Sequence, residues 1–378
     1  MSRFGVQGSL RAWDRFDAIL ALTALALVGY GLVLIYSGSL GSYDGPTASI
    51  ENPVVRQGLF AFIAVGAMFI ISRLDYHVLL HYAWWLYGAS ILLLLVLIPI
   101  GQTEFGSTRW FDLGPIQFQP SEFAKIATIL LLARFLSEQG GDARDLRVLG
   151  GSLAITAPVL LLVFIQPDLG TTIIFAAIWL GMVVVAGIHR RHLLFLGAIF
   201  IAILPFAWTF TVADYQIERI SVLLDAEEDP LDAGYNPIQS QIAVGSGQLL
   251  GKGLTNGEQT QLDFLKVKTK DFIFSVLGEE LGFVGAMALF ALFILLLMRG
   301  IRAAQIAGDI PGQLIAAGIV ITILMQAYIN IAVNLSIFPV TGLPLPFVSQ
   351  GGSSLVTLFL GLGIIQSIVM RHRAYRQF

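Results

Sequence analysis

The stretch 266–282, KVKTKDFIFSVLGEELG, sets three lysines and Asp271 at the lip of a long apolar run, with Glu279 and Glu280 inside it. A carboxylate at such a lip, within reach of water and polar headgroups, is placed to act as a general base. Lys266, Lys268 and Lys270 could draw in an anionic lipid, although lysines at a span boundary also serve simply to anchor in headgroups. Glu279 and Glu280 lie about 12–14 Å deeper at helical rise. At that depth they are expected to face the protein interior as structural or coupling groups rather than as catalysts.

Further polar groups stand where the apolar sequence is interrupted. In GSTRWFDLGPIQFQPSEFAKIA, 106–127, Trp110, Phe111, Ile116 and Phe118 suggest an interfacial piece before a short helix opened by Pro120 and Ser121. Glu122 and Lys125, three apart, share one face of that helix and can pair. In FIQPDLGTT, 164–172, Pro167 stops one helix and Asp168 caps the next. NPIQSQIAVGSGQLLGKGL is amphipathic, with Ile238, Ile242, Leu249 and Leu250 suited to a membrane surface. Its GSGQLLGKG is not a phosphate loop, because the spacing before Gly251 and Lys252 is wrong and Gly253 stands where Ser or Thr belongs. FPVTGLPLPFVSQGGSS, 338–354, cannot be regular helix yet is largely apolar. Irregular backbone at membrane depth must be buried in protein or line a wet cavity, and a cavity is expected here.

The elements that must position these groups follow from composition. Of 378 residues, 56% are hydrophobic and only 12% charged, against about a quarter charged in soluble domains. The fold class expected is an all-α polytopic membrane protein of about ten transmembrane helices, a single domain over 1–378. Spans fall near 16–37, 55–72, 77–100, 122–136, 147–165, 169–187, 192–212, 272–298, 311–335 and 352–370. A long extracytoplasmic loop, 213–271, separates the seventh from the eighth. The basic N-terminus runs into an uncleaved first span, since no small-residue cleavage pattern follows. With the N-terminus inside, all but eight of the 22 Lys and Arg fall on inner segments; the eight are Arg56, Arg109, Lys125, Arg219, Lys252, Lys266, Lys268 and Lys270. Both termini are therefore expected to be cytoplasmic. The chain has no cysteine, which excludes disulfides and thiolate chemistry, and its five scattered histidines do not suggest a zinc site.

Taken in order, RWFDLGPIQFQPSEFAKIA, QPDLGTT, GYNPIQSQIAVGSGQLLGKG, DFIFSVLGEELGF and PVTGLPLPFVSQGGSS resemble the SEDS family (shape, elongation, division and sporulation) over essentially the whole chain. PVTGLPLPF and QTQLDFL look more like its RodA branch than its FtsW branch. Two departures stand out: Thr269-Lys270 where the family usually has His-Thr, and Gln350 where it usually has Tyr.

The resemblance implies a peptidoglycan glycosyltransferase in the bacterial cytoplasmic membrane. It would polymerise lipid II, an undecaprenyl-diphosphate-linked disaccharide-pentapeptide, into β-1,4 glycan on the outer face during cell elongation and shape maintenance. It places the essential aspartate at Asp271 and further important positions at Trp110, Glu122, Lys125 and Asp168. Its partners would be lipid II, the nascent lipid-linked glycan, membrane lipids and a class B penicillin-binding protein; no nucleic acid is expected. Arg56, Arg109 or Arg219 could grip the diphosphate, Lys268 belongs to the lysine cluster, and Gln350 lies near the site. No cofactor is named by the sequence, and a divalent cation stays open. The rival readings are a lipid II flippase, which needs an aqueous route to both faces, and a non-catalytic scaffold for a transpeptidase. Single cysteines introduced at Gly245 and Ser349 should react with an impermeant thiol reagent from outside, whereas one at Ala143 should not; outside labelling of Ala143 overturns the topology.

Overall fold

The computed structural model describes residues 15–40, 43, 45–46, 49–104, 107–112, 117–139, 145–195, 197 and 234–372. Long apolar helices dominate them: α1 (Ala18–Ser39), α2 (Pro53–Arg73), α3 (Tyr76–His81), α4 (Ala83–Ile100), α5 (Pro120–Glu138), α6 (Leu146–Ile165) and α7 (Leu169–Val185). After the undescribed part of the long loop come α8 (Tyr235–Ser246), α9 (Glu258–Gln261), α10 (Ile273–Ile306), α11 (Ile310–Asn334) and α12 (Gly352–Arg371). Seven of these, α1, α2, α4, α6, α10, α11 and α12, are long and apolar enough to cross a membrane, and α7 is a shorter apolar helix. With the 19-residue α5, they stand at nine of the ten expected spans. The remaining span, 192–212, lies almost wholly outside the described residues.

Asp168 starts its helix as expected, whereas the N-cap of α5 is Gln119, one residue before Pro120, and not Ser121. Asn52 Oδ1 accepts from the Val54 amide with Pro53 at the first helical position, Asp145 caps α6, and Asp168 caps α7. α11 and α12 are the most buried helices, whereas α2 and α4 present most of their surface outward, Phe62 and Trp85 included. With no water to offer in a bilayer, that outward surface is lipid-facing. α12 packs along α2, α11 sits among α10, α7 and α5, and α1 runs along α10.

Three features depart from the sequence reading. Three short strands, β1 (Gln102–Glu104), β2 (Ser107–Asp112) and β3 (Gln117–Phe118), pair antiparallel in that order at the cavity end of the bundle. The expected span 77–100 breaks into α3 and α4 at Tyr82; the carbonyls freed there, Leu80 O and His81 O, accept from Arg134 Nη1. The third departure concerns α10, which runs on to Ile306 and breaks its helical path at Gly282 (φ 61°, ψ −159°).

The break explains the glycines of GSGQLLGKG. The amides of Phe283 and Val284 donate to Gln248 O and Leu249 O, while the amides of Lys252 and Gly253 donate to Glu279 O and Glu280 O. The loop thus satisfies the backbone groups that the kink exposes. It can approach only because side chains are absent: a Cβ on Gly247 would lie 1.9 Å from Gly278 O, and one on Gly251 2.2 Å from Glu280 O. Both glutamates are fully buried, in agreement with the expectation that they face inward. Glu279 accepts from the amides of Gln259 and Thr260, Thr260 Oγ1 and Lys252 Nζ; Glu280 accepts from Ser37 Oγ and Gln261 Nε2. Burial lowers the pKa of the Lys252 ammonium, but the adjoining Glu279 and Glu258 outweigh it and hold it above the ordinary value. Of the amphipathic piece, Ile242, Leu249 and Leu250 stay exposed as expected, while Ile238 is half-buried.

Gly282→Ala should be strongly destabilising. A left-handed residue with a Cβ costs about 1–2 kcal/mol, and the added carbon would lie 2.3 Å from Gly251 N. A clear drop in the thermal midpoint in detergent is expected; an unchanged midpoint would mean that the kink is not needed.

Candidate active site

A cavity of about 70 Å³ opens where the 338–351 segment, α2, β2, β3 and the start of α10 meet. Arg56, Trp110, Lys270, Asp271 and Gln350 line it, together with Gln57, Phe60, Gln117, Gly342 and Pro344. Asp271 is the only carboxylate among its described lining residues. The segment 338–351 is irregular and lines the cavity, as its prolines and glycines required.

Asp271 is held by its backbone, and from α11. Its carbonyl accepts from Asn330 Nδ2 at 2.9 Å and Asn334 Nδ2 at 2.8 Å. Asn334 Oδ1 also accepts from the Ser275 amide and hydroxyl, satisfying a first-turn donor of α10 from a neighbouring helix. The N-cap position itself is Phe272, so Asp271 sits one residue ahead of it. Asn330 Nδ2 donates in addition to Leu343 O, and Gln326 Nε2 donates to Pro344 O and Ser354 Oγ. Three polar residues at four-residue spacing on one face of α11 therefore fix both Asp271 and the opposing wall. That spacing was readable in QAYINIAVN, within an otherwise apolar span, but Gln326, Asn330 and Asn334 went unnoticed among longer motifs.

Gln57 and Ser349 also hold the cavity wall, and no local sequence signal marks them. Gln57 Nε2 donates to Ser349 O and its Oε1 accepts from the Gly351 amide, pinning the segment to α2. Ser349 Oγ donates to Lys270 O at 2.5 Å and accepts from the Leu345 amide. Ser349 is buried, which corrects its proposed use as an accessible cysteine position: Gly245, exposed on α8, is the suitable outer reporter.

Glu122 and Lys125 pair as their spacing suggests, at 2.8 Å and each only 1% exposed. They do not line the Asp271 cavity. They line a smaller one of about 20 Å³ among α5, α11 and α12. Lys125 Nζ also donates to Gln326 Oε1 at 3.1 Å, which links the pair through Gln326 to Pro344 and Ser354 of the main cavity.

Asp168 caps α7 through Thr171 and faces Arg109 Nε at 3.6 Å. Arg109 donates through Nη1 to Thr341 O and through Nη2 to Pro167 O, so its guanidinium ties β2 to the α6–α7 turn and to the 338–351 segment. It stands behind the cavity wall. At Gly342 (φ 73°) a Cβ would come within 2.9 Å of Arg109 Nη1 and 3.9 Å of Asp271 Oδ2, which is why this wall position carries no side chain.

The lysine cluster disperses. Lys268 is buried and donates to Thr260 O and Asp263 Oδ1, away from the cavity. Lys266 lies over the Tyr235 ring at 5.2 Å, and Lys270 alone of the three lines the cavity. Arg219 lies outside the described residues. The two departures from the family pattern meet: Thr269 Oγ1 donates to Gln350 Oε1 at 2.9 Å.

This architecture recurs in known proteins. The family described as "Cell cycle protein", comprising FtsW, RodA and SpoVE, matches residues 17–374. The chain belongs to that family and is a multi-pass α-helical membrane protein. It is 40% identical over 360 residues to peptidoglycan glycosyltransferase MrdB of Escherichia coli K12, with 94% of each chain covered. Stage V sporulation protein E of Bacillus subtilis is 39% identical, covering 93% of this chain and 96% of its own length. The solved rod shape determining protein RodA of Thermus thermophilus superposes with a TM-score of 0.69 at 29% identity, over 96% of this chain and 98% of that one. A chain from a structure described as "Structural coordination of polymerization and crosslinking by a peptidoglycan synthase complex" gives 0.77 at 32% identity, over 96% of this chain and 99% of that one.

Removing one member of a buried ion pair leaves a lone charge and costs about 3–5 kcal/mol, more than removing both. Glu122→Ala and Lys125→Ala should each lower the thermal midpoint sharply in detergent, with the double variant no worse than the poorer single. Additive losses would show that the two side chains act independently.

Proposed function

We infer that this chain is a peptidoglycan glycosyltransferase that joins lipid II into β-1,4 glycan, with Asp271 as the general base. The observation that carries this reading is a cavity whose one described carboxylate is fixed by its backbone, with Arg56 and Lys270 in the same walls. The relatives named for this activity add support across the whole chain.

The reaction needs a sugar hydroxyl to attack an anomeric carbon while a lipid diphosphate leaves. Asp271 takes the hydroxyl proton as the new C–O bond forms, and the C–O bond to the diphosphate breaks on the opposite face, inverting α to β. The diphosphate is a weak base, so a single carboxylate suffices. Trp110 and Phe60 give the cavity apolar walls. Of the arginines considered for the diphosphate, Arg56 reaches the cavity while both Nη groups of Arg109 donate to backbone carbonyls. Among the described residues no three His, Asp or Glu side chains gather around one metal position. A cation bound at Asp271 would thus take its other ligands from substrate oxygens and water.

The cavity opens on the outer face of the cytoplasmic membrane, with both termini inside. The arginines at the opposite end support this orientation: Arg299 pairs with Asp17 at 2.6 Å, and Arg371 donates to Ser72 O and Arg73 O. The solved relative from a peptidoglycan synthase complex supports a class B penicillin-binding protein as partner.

Asp271→Asn keeps the size but cannot take a proton, so polymerisation of purified lipid II should fall about 10²–10⁴-fold, with stability and partner binding near wild type. A stable Asp271→Asn protein that polymerises at more than about a tenth of the normal rate, well short of that loss, would exclude Asp271 as the base.

A further inference from the structure

Gln350 stands in the cavity wall with Asp271, and Thr269 holds both its backbone and its side chain. Its backbone amide donates to Thr269 O at 2.9 Å, and its Oε1 accepts from Thr269 Oγ1 at 2.9 Å. Gln57 holds the flanking Ser349 carbonyl and Gly351 amide. With the acceptor end of the amide committed to Thr269, the donor end remains: Nε2 is buried and has no hydrogen-bond partner. A buried N–H left unpaired is costly, and a bound acceptor removes that cost.

The other charged ends in this wall point to the ligand's chemistry. Arg56 and Lys270 line the same cavity, and ammonium and guanidinium groups donate but never accept. A sugar hydroxyl both donates and accepts, whereas a diphosphate accepts only. Two donor-only cations and one unpartnered amide N–H in the walls of one cavity match the diphosphate, and Asp271, the single carboxylate among the described lining residues, is left for the hydroxyl.

We propose that Gln350 and Lys270 join Arg56 in a subsite for the diphosphate of the lipid-linked substrate, with Thr269 as the positioning residue that turns the Gln350 amide so that Nε2 donates. The identity of the ligand rests on the glycosyltransferase reading; the donor set does not. Lys270 supplies charge at the lip and Gln350 a directed hydrogen bond deeper in the wall.

The test uses the full chain, purified in detergent, with farnesyl diphosphate as probe and farnesyl monophosphate as control, followed by calorimetric titration. Wild type should prefer the diphosphate. Gln350→Glu keeps the bond from Thr269 and removes the donor. It and Lys270→Thr should each weaken diphosphate binding about tenfold or more, the scale of one hydrogen bond to a charged group, and should raise the KM for lipid II. Thr269→Val should weaken binding several-fold and Thr269→Ser should restore it, which a merely structural hydroxyl would not require. Lys270→Thr sits at the lip and keeps the test decisive if a Gln350 variant fails to fold. Lack of preference for the diphosphate, or binding by Gln350→Glu and Lys270→Thr equal to wild type, overturns the subsite. Protein that polymerises lipid II with all variants binding the probe alike loses the subsite alone. Protein with the expected binding pattern but no polymerisation keeps the subsite and loses the reaction assigned above.

Discussion

A bilayer offers no water to an unpaired backbone group, so each break in a helix at that depth must be closed by protein. This molecule contains two such breaks, one of them lining its cavity, and much of its polar inventory answers them. At Gly282 the break in α10 is closed by the backbone of 247–253, and Glu279 and Glu280 hold the following turn through Thr260, Gln261 and Lys252. At 338–351 the irregular segment is closed by Gln57, Gln326, Asn330 and Arg109, each donating to a carbonyl there. The cavity is bounded by the second of these segments, where the chain leaves helix and its exposed groups are met.

The buried charges serve the same end in different ways. Arg109 is paired loosely with Asp168, but its Nη donors go to two carbonyls from separate segments. A planar fork of donors suits this bridging, which an ammonium could not reproduce. Lys125 is held between Glu122 and Gln326, so its charge is offset within the bundle and its contact with Gln326 runs towards the cavity wall. Neither pair offers its charge directly to a ligand. The groups that do line the cavity, Arg56, Lys270 and Asp271, are all partly exposed, where a substrate can complete their solvation.

The ladder of Gln326, Asn330 and Asn334 gives α11 a central part. One face of a single helix orients the Asp271 backbone, satisfies the start of α10 and fixes the opposing wall through Leu343 and Pro344. Asp271 and the facing wall are therefore referred to the same rigid element, which keeps their separation constant.

Read alone, the sequence already carries the membrane class, the long apolar helices, the glutamates turned inward, the Glu122–Lys125 pair and the irregular segment beside Asp271. These rest on local physics: apolar length, helical spacing, and the inability of proline and glycine runs to form helix. Even the α11 ladder was legible as a four-residue polar spacing. Only the tertiary structure decided what depends on contacts between distant segments. It separated Lys268, turned towards Thr260 and Asp263, from Lys270, which lines the cavity, in a stretch that turns through Val267 at φ 55° just ahead of Lys268 instead of running as regular helix. It moved the Glu122–Lys125 pair off the main cavity, gave Arg109 to backbone carbonyls, and brought Thr269 against Gln350, 81 residues away. It also gave GSGQLLGKG its purpose, since closeness to a kinked helix is a property of two segments together and leaves no mark in either alone.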